Sequence, residues 1–150
     1  MVSADCGYHD SPHGAKLLAY YGPVLLVNVG FDPTYKADKN RPPVSGLNGI
    51  EALVDTGAQE GCIDSSLAAQ LRLPIVDRRP VCGVHGAIDV DMHLAQVHIP
   101  SLKFTLHGRF AGVHLVAGGH PQKVLIGRSF LKHFRLAYDG TNGYASITAP

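Results

Sequence analysis

The residues best placed to do chemistry lie in one short run, Asp55-Thr56-Gly57-Ala58, directly after a short, mostly apolar strand from Ile50 to Val54. An aspartate that follows Leu53-Val54 and precedes a glycine is a carboxylate carried by a strand into a tight turn, which is how an acid–base group is preorganised. An ordinary Asx turn at a strand end uses the same residue types, so these residues alone leave both readings open. A second run, Val124-Leu125-Ile126-Gly127-Arg128-Ser129-Phe130-Leu131, reads as an apolar strand, a glycine and a short helix. Between the two runs, Gly83-Val84-His85-Gly86 places two glycines where a hairpin would turn.

Other reactive side chains are less suggestive. Nine histidines are scattered along the chain without an HExxH pattern. His93 and His98 are an odd number of residues apart on one strand, hence on opposite faces, and no metal or other cofactor is expected. Gly118-Gly119 is followed by no Lys-Ser/Thr pair, so it is not a phosphate loop. Cys6, Cys62 and Cys82 are an odd number and lack CxxC spacing. Reduced thiols in a cytosol-like compartment fit that usage better than a disulfide framework or a zinc site. Cys62 and Cys82 read as buried, inert thiols that need no role; the alternative is that oxidation of Cys82 alters the motion of the neighbouring hairpin.

The chain must also be able to hold such groups in place. Its 150 residues, 45% hydrophobic and 17% charged, suffice for one domain with a real core. Thirteen Lys+Arg against 12 Asp+Glu leave a net charge of +1, so no broad field attracts nucleic acid or anionic lipid. No run approaches the ~20 apolar residues of a membrane span. Asp5, His9, Asp10 and His13 interrupt any signal-peptide core. A soluble, cytoplasmic domain is expected, and a membrane anchor would belong to a longer parent protein. Residues 1–19 read as an N-terminal tail or extension, and residues 20–150 as the domain.

The positioning elements follow from periodicity. Tyr20 to Gly30 reads as the first strand, and Asp32 to Gly46 as a connection long enough to be mobile or functional. After the Ile50–Val54 strand, Ile63 to Leu73 reads as one helix capped by Asp64 or Ser65 and stopped by Pro74. Val81-Cys82 and Ala87-Ile88 flank the glycine hairpin. Its return strand places Ile88, Val90, Met92 and Leu94 on one face, then shifts parity to Ala95, Val97 and Ile99, which predicts a bulge or strong bend. Leu102 to Leu106, Val113 to Ala117 and Val124 to Ile126 read as further strands. Arg128 to His133 is a second helix, with Phe130, Leu131 and Phe134 inward. Two final strands, Arg135 to Tyr138 and Tyr144 to Ile147, flank a turn at Asp139 to Gly143. Seventeen Gly and ten Pro agree with many turns and short strands, and so with a mostly β fold.

Taken in order, the strand, the Asp-Thr-Gly-Ala loop, the glycine-tipped hairpin and the Ile-Gly-Arg strand-to-helix turn resemble the retropepsin family, the aspartic proteases of retroviral type. The resemblance covers about Tyr20 to Ile147. The Ser65–Leu71 helix and the Leu-Arg-Leu-Pro segment that ends it are more similar to bacterial and retrotransposon-type members. It implies a retropepsin-like closed β-barrel, the acid protease half, with one or two short helices. Asp55 would be the catalytic carboxylate, and Thr56 would hydrogen-bond across to a partner loop. Gly57 would let substrate approach the backbone, and Ala58 and Gln59 would line the cleft. Gly83, Val84, His85 and Gly86 would form a flap over bound peptide, while Gly127 and Arg128 brace the loop. His85 stands where small flap residues are usual, and an exposed loop histidine is most simply solvated; substrate contact and pH sensitivity are the alternatives. The family commonly has an Asp after the tetrad, paired with the Arg of the Gly-Arg motif. Here Gln59 and then Glu60 follow, which leaves Arg128 with Glu60, Gln59 or neither as its partner.

Two carboxylates about 3 Å apart share one proton, so that one activates water while the other polarises the scissile carbonyl. This chain has one such motif: Asp139-Gly140-Thr141 carries the letters in the wrong order, and 150 residues cannot hold two lobes. The resemblance therefore implies a homodimer with Asp55 from each subunit at a two-fold axis, hydrolysing a peptide or protein substrate. The other reading is a retropepsin-like dimerisation or peptide-binding module without turnover.

Overall fold

A computed structural model of the chain describes residues 1–37, 41–83 and 86–150. These form a mostly β fold of short elements. In chain order they are β1 (Val2–Asp5), α1 (Gly14–Tyr21), β2 (Val24–Gly30), β3 (Leu47–Val54), β4 (Cys62–Asp64) and α2 (Ser65–Gln70). There follow β5 (Ile75–Gly83), β6 (Gly86–Ile99), β7 (Phe104–Val113), β8 (Val124–Ile126), α3 (Arg128–Leu131), β9 (Arg135–Asp139) and β10 (Tyr144–Ala149), with a 3₁₀ turn at Pro100–Leu102.

The larger sheet has the order β2-β3-β8-β4-β7-β6-β5, and β2 also pairs with β6, so the path of pairings returns to β2. Within it β3 and β8 run parallel, with Ala52, Leu53 and Val54 opposite Val124, Leu125 and Ile126. All three residues of β8 are buried, which is why it reads as an unbroken apolar run rather than an alternation. The ends of these two parallel strands deliver Asp55 and Gly127 side by side.

Strand β6 belongs to two regions of the core. Val90 and Met92 join a smaller cluster with Cys62, Ala111 and Leu125, whereas Ala95, Val97 and Ile99 face the main core. The expected change of parity is therefore present, but no extra residue sits in β6. Its register with β7 is unbroken from Met92↔Ala111 to Ile99↔Phe104. The irregularity lies in its other partner, between Ile75 and Asp77 of β5, opposite His93 and Met92.

The N-terminal segment carries regular structure. Residues 1–19 contain β1 and most of α1, and Ala4, Cys6 and Leu18 are buried in the main core. Strand β1 pairs with β10, from Val2↔Ala149 to Asp5↔Ser146, in a second sheet of order β1-β10-β9. A four-residue strand is too short to show periodicity, and its partner lies at the far end of the chain. Helix α1 buries only Gly14 and Leu18 and has no side-chain cap, so it carries none of the usual start signals. Tyr20 and Tyr21 belong to this helix, and the strand begins at Val24 after Gly22 turns the chain at φ +75°.

Three further boundaries move for local reasons. The expected helix over Ile63–Leu73 divides into β4 and α2, with Asp64 at the junction accepting from the Leu67 N–H at 3.3 Å. The same buried carboxylate accepts from the N–H groups of Leu115 and Val116, both at 3.1 Å. That holds the segment after Val113 as a turn where a strand was expected. Leu102 closes the 3₁₀ turn, and its strand starts at Phe104.

Candidate active site

Asp55 leaves the end of β3 with its N–H bonded to the Ile126 carbonyl of β8 at 3.0 Å. Its Oδ1 accepts from the Gly57 N–H at 2.9 Å, so the turn is an Asx turn and also presents a carboxylate. The side chain is half-buried, while Thr56 and Gly57 are exposed.

The loop is pinned from the side of α3. The N–H groups of Arg128 and Ser129 donate to the carbonyls of Ala58 and Gln59 at 2.8 and 2.9 Å. The Arg128 guanidinium donates to the Thr56 carbonyl at 2.7 Å. Arg128 thus takes neither Glu60 nor Gln59 as a side-chain partner, and the loop needs no acidic residue at position 59 to be held by it. Gly127 has φ −86°, so conformational freedom is not what selects glycine there. Space is: a Cβ would overlap the carbonyl of Glu60 and lie 3.0 Å from that of Ala58. Behind the loop, Phe130 of α3 stacks on Phe110 of β7 at 4.6 Å and 20°. A Cβ on Gly61 would fall 2.6 Å from one ring and 2.9 Å from the other, so a side chain there would push α3 away from the sheet.

Glu60 turns to the hairpin side instead. It pairs with Arg79 of β5 at 3.7 Å, and Arg79 Nε donates to Asp77 at 3.0 Å. Arg109 of β7 completes the chain of alternating charge, 3.4 Å from Asp77. The Arg79 hydrogen bond, followed by that from the Arg78 N–H, holds the Asp77 carboxyl below its ordinary value. Between loop and hairpin lies a cavity of about 380 Å³ whose walls include Ala58, Gln59, Glu60, Arg79, Val81 and Met92.

The structure therefore brings together Asp55, Thr56, Gly57, Ala58, Gln59, Gly127 and Arg128, and sets the base of the β5–β6 hairpin across a cavity from them. Gly83 and Gly86 face each other at the end of the ladder. Gly86 has φ +102°, a conformation that L side chains rarely adopt. Val84 and His85 lie outside the described residues. The sequence reading missed Arg79 and Met92 as walls of the cavity. The opposite charges of Glu60 and Arg79 were the available signal, but nothing in their spacing says that they meet.

Cys62 also lines the cavity. Its buried thiol is pushed up to about 11, first by burial and then by the charges of Asp55 and Glu60. Cys82, another wall residue, is exposed, contrary to the expectation of a buried thiol, because it lies near the end of the hairpin ladder. Away from this site, Asp5, His9 and Asp10 offer ligand atoms within 4.8 Å of one another. All three are exposed, and His9 bridges the two carboxylates at 3.0 and 3.3 Å. Among the described residues, no helix is long and apolar enough to cross a membrane.

Comparison with known proteins bears on the same segment. Among solved structures, the EIAV protease complexed with the inhibitor HBY-793 is similar at 15% identity and a TM-score of 0.48, over 73% of this chain and 85% of that one. The solution structure of Simian Foamy Virus (mac) protease is similar at 10% identity and a TM-score of 0.47, over 73% and 91%. No curated protein matches the chain. A family model described as "gag-polyprotein putative aspartyl protease" matches residues 44–133, from the end of the long connection through α3. The match takes in the Asp55 loop, the hairpin and the Gly127-Arg128 turn, and the chain belongs to this gag-polyprotein aspartyl protease family.

Proposed function

We propose that the protein is an aspartic endopeptidase of retropepsin type, with Asp55 as its catalytic carboxylate and a second copy of the chain supplying the other. The observation that carries this is the Asp55 loop itself. A half-buried carboxylate stands at the junction of two parallel strands, pinned by three hydrogen bonds from Arg128 and Ser129, beside a cavity roofed by β5.

In the dimer the two Asp55 carboxylates share one proton, because ionising both at about 3 Å is prohibitive. The ionised one takes a proton from a bound water as it attacks the scissile carbonyl, and the protonated one donates to the carbonyl oxygen. Breakdown of the tetrahedral species transfers a proton to the leaving nitrogen. Thr56, Gly57, Gly127 and Arg128 keep the loop in place. Ala58, Gln59 and the hairpin tip from Gly83 to Gly86 contact an extended peptide through main-chain hydrogen bonds, as an added strand would.

The test is cleavage of an extended peptide library at about pH 4–6, where one carboxylate of such a dyad stays protonated. Wild type is expected to cleave, and Asp55→Asn to be inactive with unchanged circular dichroism. Equal cleavage by both would remove Asp55 from the mechanism. A second reading, a peptide-binding dimer without turnover, rests on Gln59 standing where the family commonly has Asp; a stable wild-type dimer that binds peptides and cleaves none would favour it.

A further inference from the structure

The most voluminous of the described cavities lies away from Asp55. It measures about 610 Å³, within the rough 300–1,000 Å³ range of small-ligand sites. Tyr35, Arg41 and Pro42 of the β2–β3 connection form one wall, and His98, Lys103 and Phe104 form the other. That connection precedes β3, whereas Asp55 follows it, so the two are joined through opposite ends of a strand whose eight residues span about 25 Å.

The wall is held by buried polar contacts. Asp32 is 6% exposed. Its carboxylate accepts from the Thr34 hydroxyl at 2.6 Å, the Thr34 N–H at 2.9 Å and the Val44 N–H at 2.9 Å. Its main chain exchanges hydrogen bonds with the buried Gln96 of β6 at 2.7 and 3.2 Å. The Arg41 guanidinium is oriented by Asp32 at 3.5 Å and by the Thr34 hydroxyl at 3.3 Å. Lys103 lines the same cavity. Burial lowers the His98 pKa, so at neutral pH His98 is an uncharged ring, 2.9 Å from the Thr105 hydroxyl. Among the described residues no carboxylate lines the cavity, and Tyr35, Phe104 and Pro42 supply flat apolar surface. Two cations over such a floor suit an anion attached to a planar ring.

We propose that this cavity is a binding site for a small aromatic anion, an aryl phosphate or aryl carboxylate, with the charged group between Arg41 and Lys103 and the ring against Tyr35 and Phe104. The probes are phenyl phosphate and benzoate, titrated into the intact protein and followed by amide chemical shifts. Benzyl alcohol and inorganic phosphate supply the ring and the charge separately. At least one aryl anion is expected to bind about tenfold more tightly than either control, more weakly as salt is raised, with shifts at Tyr35, Lys103 and Phe104. Lys103→Gln should weaken it about fivefold or more while leaving the remaining spectrum intact. Arg41→Gln should do the same, but it also removes the Asp32 ion pair, so Lys103→Gln is the deciding variant. Affinity equal to benzyl alcohol, an unaltered affinity in Lys103→Gln, or shifts confined to residues 55–59 would overturn the proposal. Binding is read without a cleavage assay, so this outcome is independent of the protease reading.

Discussion

Gly127 and Asp32 show how much a single position can carry in this fold. At Gly127 the backbone is ordinary, but a methyl group would overlap the Glu60 carbonyl, and a carbonyl cannot rotate away as a side chain would. Gly127→Ala is expected to lose about 1–3 kcal/mol of stability, read from urea unfolding. Gly108→Ala places its Cβ 3.5 Å from the Phe130 ring, an ordinary contact, and should change stability by less than about 1 kcal/mol. Equal losses at the two positions would remove the steric argument. Asp32 makes a different prediction. Its carboxyl is held at about 2, against an ordinary 3.8, chiefly by the Thr34 hydroxyl and then by the Val44 and Thr34 N–H groups. A lowered folded-state pKa contributes stability that is present above the unfolded value and is lost as pH falls through the folded one. Asp32→Asn should therefore be less stable than wild type at pH 7, with a gap that narrows as pH falls from about 4 toward about 2. A gap in urea midpoint that stays constant between neutral pH and about pH 2 would show that Asp32 does not act through its charge.

At the scale of elements, the terminal sheet is the part whose contribution is least obvious from local sequence. Strand β1 covers one side of β10, whose Ala145 and Ile147 are fully buried, and removing it would leave an unpaired edge. Deleting residues 1–5 is expected to lower the melting temperature by roughly 5–10 °C; an unchanged transition would mean that β1 adds nothing to the fold. The same element shows which parts of the structure were legible in the sequence. Strands β3 and β8 and the turns that follow them are local patterns, an apolar run ending in Asp-Thr-Gly or Gly-Arg; both strands end where they were read, although β3 starts three residues earlier, at Leu47. The parity change in β6 was legible too, but the irregular residue that accompanies it belongs to β5, because a bulge is a property of a pair of strands. What escaped depends on distant partners. Strand β1 answers to β10 at the opposite end of the chain. Arg128 binds a main-chain carbonyl, an acceptor that every residue offers. Arg79 meets Glu60 only because β5 folds over the loop. The hairpin also makes its own prediction. Cys82 is exposed and lines the cavity, whereas Cys6 and Cys62 are buried, with thiols pushed up to about 12 and about 11. A bulky maleimide should modify one thiol per native chain, at Cys82, and suppress peptide cleavage; modification without loss of cleavage would place the substrate path elsewhere.

For the whole molecule, the decisive quantity is one Asp-Thr-Gly per chain. Half a dyad cannot both activate water and polarise a carbonyl, so the protease reading requires assembly, and assembly has its own arithmetic. The net charge of +1 means that two copies approach without strong mutual repulsion. If the active species is a dimer with one Asp55 from each chain, activity per chain should fall on dilution below the dimer dissociation constant. Asp55→Asn chains should also poison wild type. With free exchange and equal affinity, adding one equivalent of the variant puts about half of the wild-type chains into mixed dimers, so activity should fall to about half. Three equivalents should bring it to about a quarter. These expectations separate a shared site from one complete in each chain. In the latter case the variant is a bystander, and activity stays level however much is added. The measurement is peptide cleavage at fixed wild-type concentration against increasing Asp55→Asn, after incubation long enough for subunits to exchange. Sedimentation at the same concentrations supplies the dimer fraction. A level titration under conditions where mixed dimers are present would sink the shared site while leaving Asp55 itself open to test.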